Sequence, residues 1–222
     1  MRMMRLILIL AASAIAFGQS PAPASPPSIW QMQESGTTAG LRGIYSVDGT
    51  VAWASGTGGT VLKTIDGGEH WKACAIPEAA TDGATLDFRG VQAWDATTAI
   101  VMASGPGDKS RLYKTTDGCK TWKLVFKNPD APGGFFDSIY FPKMQSTQKD
   151  NEGFGLLLGD PVGGMFAVYE TRDGGYSWTR VTDSNLKASG TESGAFAASN
   201  SCISGNGGAT FDIVIGGRAG SF

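Results

Sequence analysis

The chain is short of the side chains that most often carry chemistry. It holds one histidine, His70, and three cysteines, Cys74, Cys119 and Cys202, in 222 residues. A Ser-His-Asp hydrolase needs a histidine held between an acid and a nucleophile, and nothing in the spacing around His70 supplies them. The cysteines lie far apart and form no CxxC pair, so zinc ligation and thioredoxin-like exchange have no support. At most one disulfide can form, and Cys119 reads as an incidental, solvent-accessible residue at a hairpin tip. No phosphate-cradling glycine loop is present. The reading therefore calls for no catalytic residue, no metal and no cofactor.

Long amphipathic helical patterns and basic runs are also missing. Eighteen Lys and Arg face 20 Asp and Glu, and without Arg2 and Arg5 the balance is 16 against 20, a net charge of −4. Without a basic stretch to neutralise phosphates, nucleic acid is excluded as a partner. The first residues, MRMMRLILILAASAIAFGQS, pair two arginines with an apolar run from Leu6 to Phe17 and small residues before Gln19. This is the layout of a signal peptide, and its apolar run falls short of the roughly 20 residues of a membrane span. The expectation is cleavage near Gly18 and a mature chain, without a transmembrane span, in the periplasm or outside the cell. Residues 19–28 are a Pro/Ala/Ser-rich linker, and residues 29–222 form the folded part.

What the chain has in abundance is glycine, 32 residues, with 6 Trp and 11 Phe. That composition reads as short strands joined by tight turns. One phrase occurs three times: TIDGGEHW from Thr64, TTDGCKTW from Thr115 and TRDGGYSW from Thr171. Asp66, Asp117 and Asp173 are 51 and 56 residues apart, close to the period of propeller blades. Each repeat shows four β-prone runs, which is one antiparallel blade. The blades fall at about 41–76, 86–127 and 135–183, with an incomplete fourth over 192–222. The fold class is all-β, a β-propeller of about three and a half blades.

Within a blade the phrase sits between the third and fourth strands. Its aspartate folds back onto backbone N–H groups, and Gly67, Gly118 and Gly174 supply positive φ. Trp71, Trp122 and Trp178 then open the outer strand as apolar rivets between blades. Thr121 and Ser177 stand where His70 stands in the first copy, so His70 reads as a structural hairpin residue.

The phrase is identified as the Asp-box, or bacterial neuraminidase repeat. Thr64/Asp66/Gly68/Trp71 and Thr171/Asp173/Gly175/Trp178 fit it, and Thr115/Asp117/Trp122 departs with Cys119 at the second glycine. Over a wider frame, LRGIYSVDGTVAWASGTGGTVLKTIDGGEHW resembles the photosystem II stability/assembly-factor-like propellers. That resemblance runs from about Ile29 to Phe222 and implies an exported, non-enzymatic seven-bladed propeller that binds other proteins, here of unknown identity.

The alternative is a sialidase-like or other carbohydrate-active propeller. The Arg-Ile-Pro motif that resemblance to sialidases requires is absent, but a pair of glycosidase carboxylates remains open among Asp137, Asp160 and Glu192. A second candidate is a binding site at the channel rim. Arg42, Arg89 and Asp137 open the first strand of successive repeats, in LRGI, FRGV and FDSI, and can converge there on an anion or an acidic peptide. Phe135, Phe136, Tyr140 and Phe141 read as strand core, and Pro142 to Gly153 as a polar loop insertion with room for recognition. No fourth Asp-box follows Val181. The expectation is a C-terminally truncated piece of a protein of about 350 residues. Three blades and part of a fourth would stand as an open arc with its first and last faces exposed, prone to aggregate or oligomerise.

Overall fold

A computed structural model describes residues 30–77, 82–142, 153–189, 193–197, 200–205 and 211–216. The chain divides into two compact units, Met1–Met32 and Gln33–Phe222. Of the first, Trp30, Gln31 and Met32 are described and carry no regular secondary structure; Trp30 is 84% and Met32 94% exposed. The predicted signal segment and linker lie outside the described residues.

The second unit is built of four-stranded antiparallel sheets. The first orders β1 (Leu41–Ser46), β2 (Ala52–Gly56), β3 (Val61–Thr64) and β4 (Lys72–Ala73) side by side. The second repeats the order with β5 (Asp87–Ala93), β6 (Ala99–Ser104), β7 (Arg111–Thr115) and β8 (Lys123–Lys127). The third does so with β9 (Phe136–Tyr140), β10 (Gly155–Val162), β11 (Met165–Thr171) and β12 (Thr179–Arg180). β13 (Ile203–Gly205) and β14 (Phe211–Ile213) pair as the start of a fourth. These are propeller blades, three complete and one partial. Most of the predicted insertion after Pro142, together with Arg218, lies outside the described residues.

The recurring phrase closes the same hairpin each time. Thr64 Oγ1 donates to Asp66 Oδ1 at 2.7 Å and accepts from Gly68 N at 3.0 Å, while His70 N donates to Asp66 Oδ1 at 3.0 Å. Thr115 with Asp117 and Thr171 with Asp173 make the corresponding bonds. The backbone N–H groups of His70 and Thr121 hold Asp66 and Asp117 down to about 2. Burial pushes Asp173 the other way, but bonds from Ser177 and Thr171 prevail and hold it at about 2 as well. His70 Nδ1 lies 2.8 Å from Asp66 Oδ2, where Thr121 Oγ1 and Ser177 Oγ donate to the other two aspartates at 2.7 and 2.6 Å. The three side chains therefore do one job, which explains why the position accepts His, Thr or Ser. Gly67, Gly118 and Gly174 share φ 73°, the left-handed conformation the turn requires.

Apolar residues fill the spaces between blades. Trp53 and Val61 of the first blade meet Phe88, Val101 and Tyr113 of the second, and Trp122 lies edge-on to Trp53 with ring centroids 6.2 Å apart. Ile100, Met102 and Leu112 of the second meet Phe136, Leu157 and Tyr169 of the third, with Trp178 packed at the border beside Phe126. Trp122 and Trp178 thus join each blade to the one before it. Trp71 differs: it packs with none of the three apolar clusters, and its indole N–H donates to Gln33 Oε1 at 3.4 Å. The rivet reading holds for two of the three tryptophans.

Two further ties cross these joints. Lys63 Nζ of β3 donates to Ala96 O at 3.0 Å and Gly118 O at 3.2 Å in the second blade. Lys114 Nζ of β7 donates to Gly174 O at 2.7 Å in the third and lies 3.8 Å from the Tyr176 ring centroid. The other tie is a disulfide between Cys74 and Cys119. It corrects the reading of Cys119 as incidental: the second blade's hairpin sits against the end of the first blade's outer strand, and Cys119 takes a left-handed φ of 66° where Gly68 and Gly175 take 93° and 91°.

The expectation of a bare face on the first blade is also corrected in part. Ser35, Gly36 and Thr37 come up to Leu62 and Trp71 around a cavity of about 310 Å³, and Leu62 is only 3% exposed. Gln33 Nε2 donates to Gly67 O at 2.8 Å, so an amide from the preceding stretch satisfies the carbonyl that a lysine satisfies at the other two hairpins.

Trp122→Ala should cost about 3 to 5 kcal/mol of unfolding free energy in a denaturant titration, and Trp71→Ala clearly less, because only Trp122 is sealed between blades. Cys74 and Cys119 are 45 residues apart, and reducing a disulfide that closes such a loop should cost up to about 4 kcal/mol. An unchanged melting temperature after reduction would count against a structural role.

Candidate functional site

Strands β1, β5 and β9 bring Arg42, Arg89 and Asp137 near one another. Asp87, which opens β5, is the residue that organises them. Arg42 Nε donates to Asp87 Oδ1 at 2.9 Å and Arg89 Nε to Asp87 Oδ2 at 2.8 Å. One carboxylate thus holds two guanidinium groups from adjacent blades, each still partly open to solvent. The Arg89 guanidinium also lies 6.0 Å from the Phe135 ring centroid. Close strand approach explains the Arg-Gly pairs: a Cβ on Gly43 would come within 2.9 Å of Arg89 O, and one on Gly90 within 3.0 Å of Ile139 Cγ2. Neither strand could move so near its neighbour with a side chain there.

Asp137 stands at the equivalent position of β9 but has a different character. It is 1% exposed and its Oδ2 has no hydrogen-bond partner. Burial, and then the Asp160 carboxylate, push it up to about 8, with Arg89 opposing. Asp160 is itself raised by burial while its Oδ1 accepts from Ala195 N at 3.0 Å. Of the three glycosidase candidates, these two carboxyls are near enough to interact, and Glu192 lies outside the described residues. None of the three cavities described here is lined by Asp137 or Asp160.

Further along the same inner strands lies a cavity of about 480 Å³, lined by Ile44, Tyr45, Val91, Gln92 and Tyr140 among others. Phe136 and Phe141 are core as predicted, Phe141 and Tyr140 both border this cavity, and Phe135 lies beneath Arg89. Asn200 borders the cavity too, and its Oδ1 accepts from Ile139 N at 2.7 Å. Sequence reasoning missed Asp87. The signal was available as an acid two residues before Arg89, which places both side chains on one face of a strand. At the periphery, ligand atoms of Asp66, Glu69 and His70 lie within 4.8 Å of one another, but the Asp66 oxygens are engaged in the hairpin. No helix among the described residues is long and apolar enough to cross a membrane.

No protein-family model matches the chain. It is 26% identical over 182 residues to the photosystem II assembly lipoprotein Ycf48 of Synechococcus sp. (strain CC9902), a match that covers 80% of this chain and 48% of that protein. The chain therefore spans about half the length of this curated relative. Among solved structures it is similar to YCF48 bound to D1 peptide, with TM-score 0.54 and 18% identity over 88% of this chain and 60% of that one. YCF48 from Cyanidioschyzon merolae gives TM-score 0.47 and 24% identity over 65% of this chain and 40% of that one. The chain has the fold of a Ycf48-like β-propeller.

The pH dependence of stability should report on Asp137. An ordinary carboxyl ionises near 4 in the unfolded chain, and Asp137 near 8 in the folded one. Between those values the folded state binds the extra proton, so this group makes stability fall as pH rises. Asp137→Asn removes the dependence. Its melting temperature relative to wild type should climb from about pH 4 to about pH 8 and then level off, and a pH-independent difference would show that Asp137 is ionised throughout.

Proposed function

We propose that the chain is a protein-binding propeller segment of the assembly-factor kind, which takes an acidic peptide segment of a client protein at the channel rim. The observation that carries this reading is the pair of guanidinium groups, Arg42 and Arg89, presented by adjacent inner strands of a Ycf48-like fold. Guanidinium forks match carboxylates, and a rim built of rigid strands keeps the fork in place before the ligand arrives. In the free protein Asp87 occupies both, so a client carboxylate binds by competing with Asp87. The channel cavity beyond the rim, with its apolar walls and Gln92, is suited to an adjoining side chain. Phe135 beneath Arg89 fixes the approach of that guanidinium.

The same reading places the protein outside the cytoplasm, after removal of the N-terminal segment near Gly18. The disulfide supports this, since such bonds persist in oxidising compartments. Assembly or stability of a membrane-associated complex is then the biological role, with the client's identity set by the source.

Pull-down from the exported fraction, with crosslinking, tests the reading. Wild-type protein should capture at least one reproducible client, the Arg42→Gln/Arg89→Gln double variant should lose it, and capture should weaken with added salt. Asp87→Asn should bind several-fold more tightly, because it removes the competing charge. Capture that ignores all three substitutions would overturn the rim assignment. Turnover of aryl glycosides abolished by Asp137→Asn would overturn the binding function itself.

A further inference from the structure

We propose that Asp137 is a proton-operated counter-charge to the Arg42/Arg89 site: protonated, it leaves Arg89 to an incoming client carboxylate, and ionised, it competes for Arg89 and repels the client. This rests on the binding reading above and deepens it, since it makes acidic-peptide binding a proton-linked event.

Arg89 and Asp137 hold the same position on β5 and β9 by strand register. The two strands run close together at that level, where a Cβ on Gly90 would stand 3.0 Å from Ile139 Cγ2. Arg89 lies near enough to Asp137 to act on its charge. Asp87 engages Arg89 through Nε, and the Phe135 ring, 6.0 Å from the guanidinium, limits where that group can lie. Two arginines against the one shared acid leave a single positive charge for a client to meet. An ionised Asp137 would cancel it.

The carboxyl is built to hold a proton. Asp137 is 1% exposed and its Oδ2 has no hydrogen-bond partner. As an anion it would be a buried charge with an empty acceptor, beside the second carboxylate of Asp160, and a proton relieves both faults. That proton belongs to Asp137 and not to Asp160, because Ala195 N donates to Asp160 Oδ1 at 3.0 Å and so favours the Asp160 anion. Among the described residues, the charged and titratable groups that act on Asp137 are Arg89 from β5, Asp160 from β10 and the Cys202 thiol just before β13. Burial, and then Asp160, push Asp137 up to about 8 against Arg89. Burial raises the Cys202 thiol as well, so it stays neutral where Asp137 changes charge.

A client anion beside Arg89 disfavours a second anion at Asp137, so the bound protein keeps the proton to higher pH than the free one. Affinity is therefore greatest while Asp137 is protonated and falls as pH rises through about 8. By linkage, binding near that pH draws a proton from solution.

A rhodamine-labelled hexaglutamate peptide is a suitable probe, because its own carboxylates stay ionised from about pH 6 to about pH 9. Anisotropy titrations of the full chain at constant ionic strength should show binding that weakens about fivefold over that range. Asp137→Asn should hold the affinity of the acid end throughout. Asp160→Asn removes the neighbouring carboxylate and should move the midpoint to lower pH, a shift that a purely structural Asp137 would not give. Calorimetry near the midpoint, in two buffers of different ionisation enthalpy, should register proton uptake by wild type and none by Asp137→Asn. Melting curves at each pH identify any variant that is not folded, and if Asp137→Asn is one, the wild-type calorimetry and Asp160→Asn decide. Binding that needs Arg42 and Arg89 yet stays level with pH, or proceeds without proton uptake, overturns the counter-charge and leaves the binding reading standing. A peptide that binds at no pH, or binds the Arg42→Gln/Arg89→Gln variant equally well, overturns both.

Discussion

A single four-stranded blade has two faces to cover and can cover neither by itself. The molecule depends on how that problem is solved at the joints between the first and second and the second and third blades. A hairpin from the following blade brings its tryptophan onto the face of the blade before it, and a lysine from that blade reaches across to a carbonyl of the hairpin. The apolar contact removes surface from water, while the lysine fixes where the hairpin lies, since an ammonium group drawn out of water must find acceptors. The aspartate keeps its carboxylate on the backbone of its own turn, so the hairpin arrives at the joint already shaped. Local turn chemistry and long-range packing thus meet within eight residues.

Much of this could be read from the sequence because it is periodic. A repeated Thr-x-Asp-Gly phrase and a tryptophan at a fixed offset mark the hairpins, and two of the three tryptophans, Trp122 and Trp178, pack at the joints between blades. Trp71 was misjudged, since one phrase describes its own blade and says nothing of what stands before it. Cys119 was misjudged for the opposite reason. Departure from the glycine pattern looked like drift, whereas it marks a contact between residues 45 apart that spacing along the chain cannot reveal.

The channel rim was half legible. Alignment of the repeats finds Arg42, Arg89 and Asp137 as equivalent positions, but equivalence does not fix environment. Arg42 and Arg89 remain within reach of solvent on a shared acid, while Asp137 is buried against Asp160. One row of corresponding residues therefore contains two kinds of electrostatics: a partly solvated pair of guanidinium groups sharing one acid, and a carboxyl that burial pushes up. What separates them is the covering of β9 by its neighbours, a tertiary property. Asp87 escaped attention because it has no repeated counterpart.

The Cys74–Cys119 bond spans the stretch that carries the inner three strands of the second blade, including Asp87 and Arg89. A backbone cut anywhere in that stretch leaves the two pieces covalently joined, and the cut ends remain held in a sheet whose hydrogen bonds run across the break. Nicking by a protease would then change the size of the chain on a gel only after a thiol is added. The rim could go on presenting its two arginines from what are, by connectivity, two polypeptides.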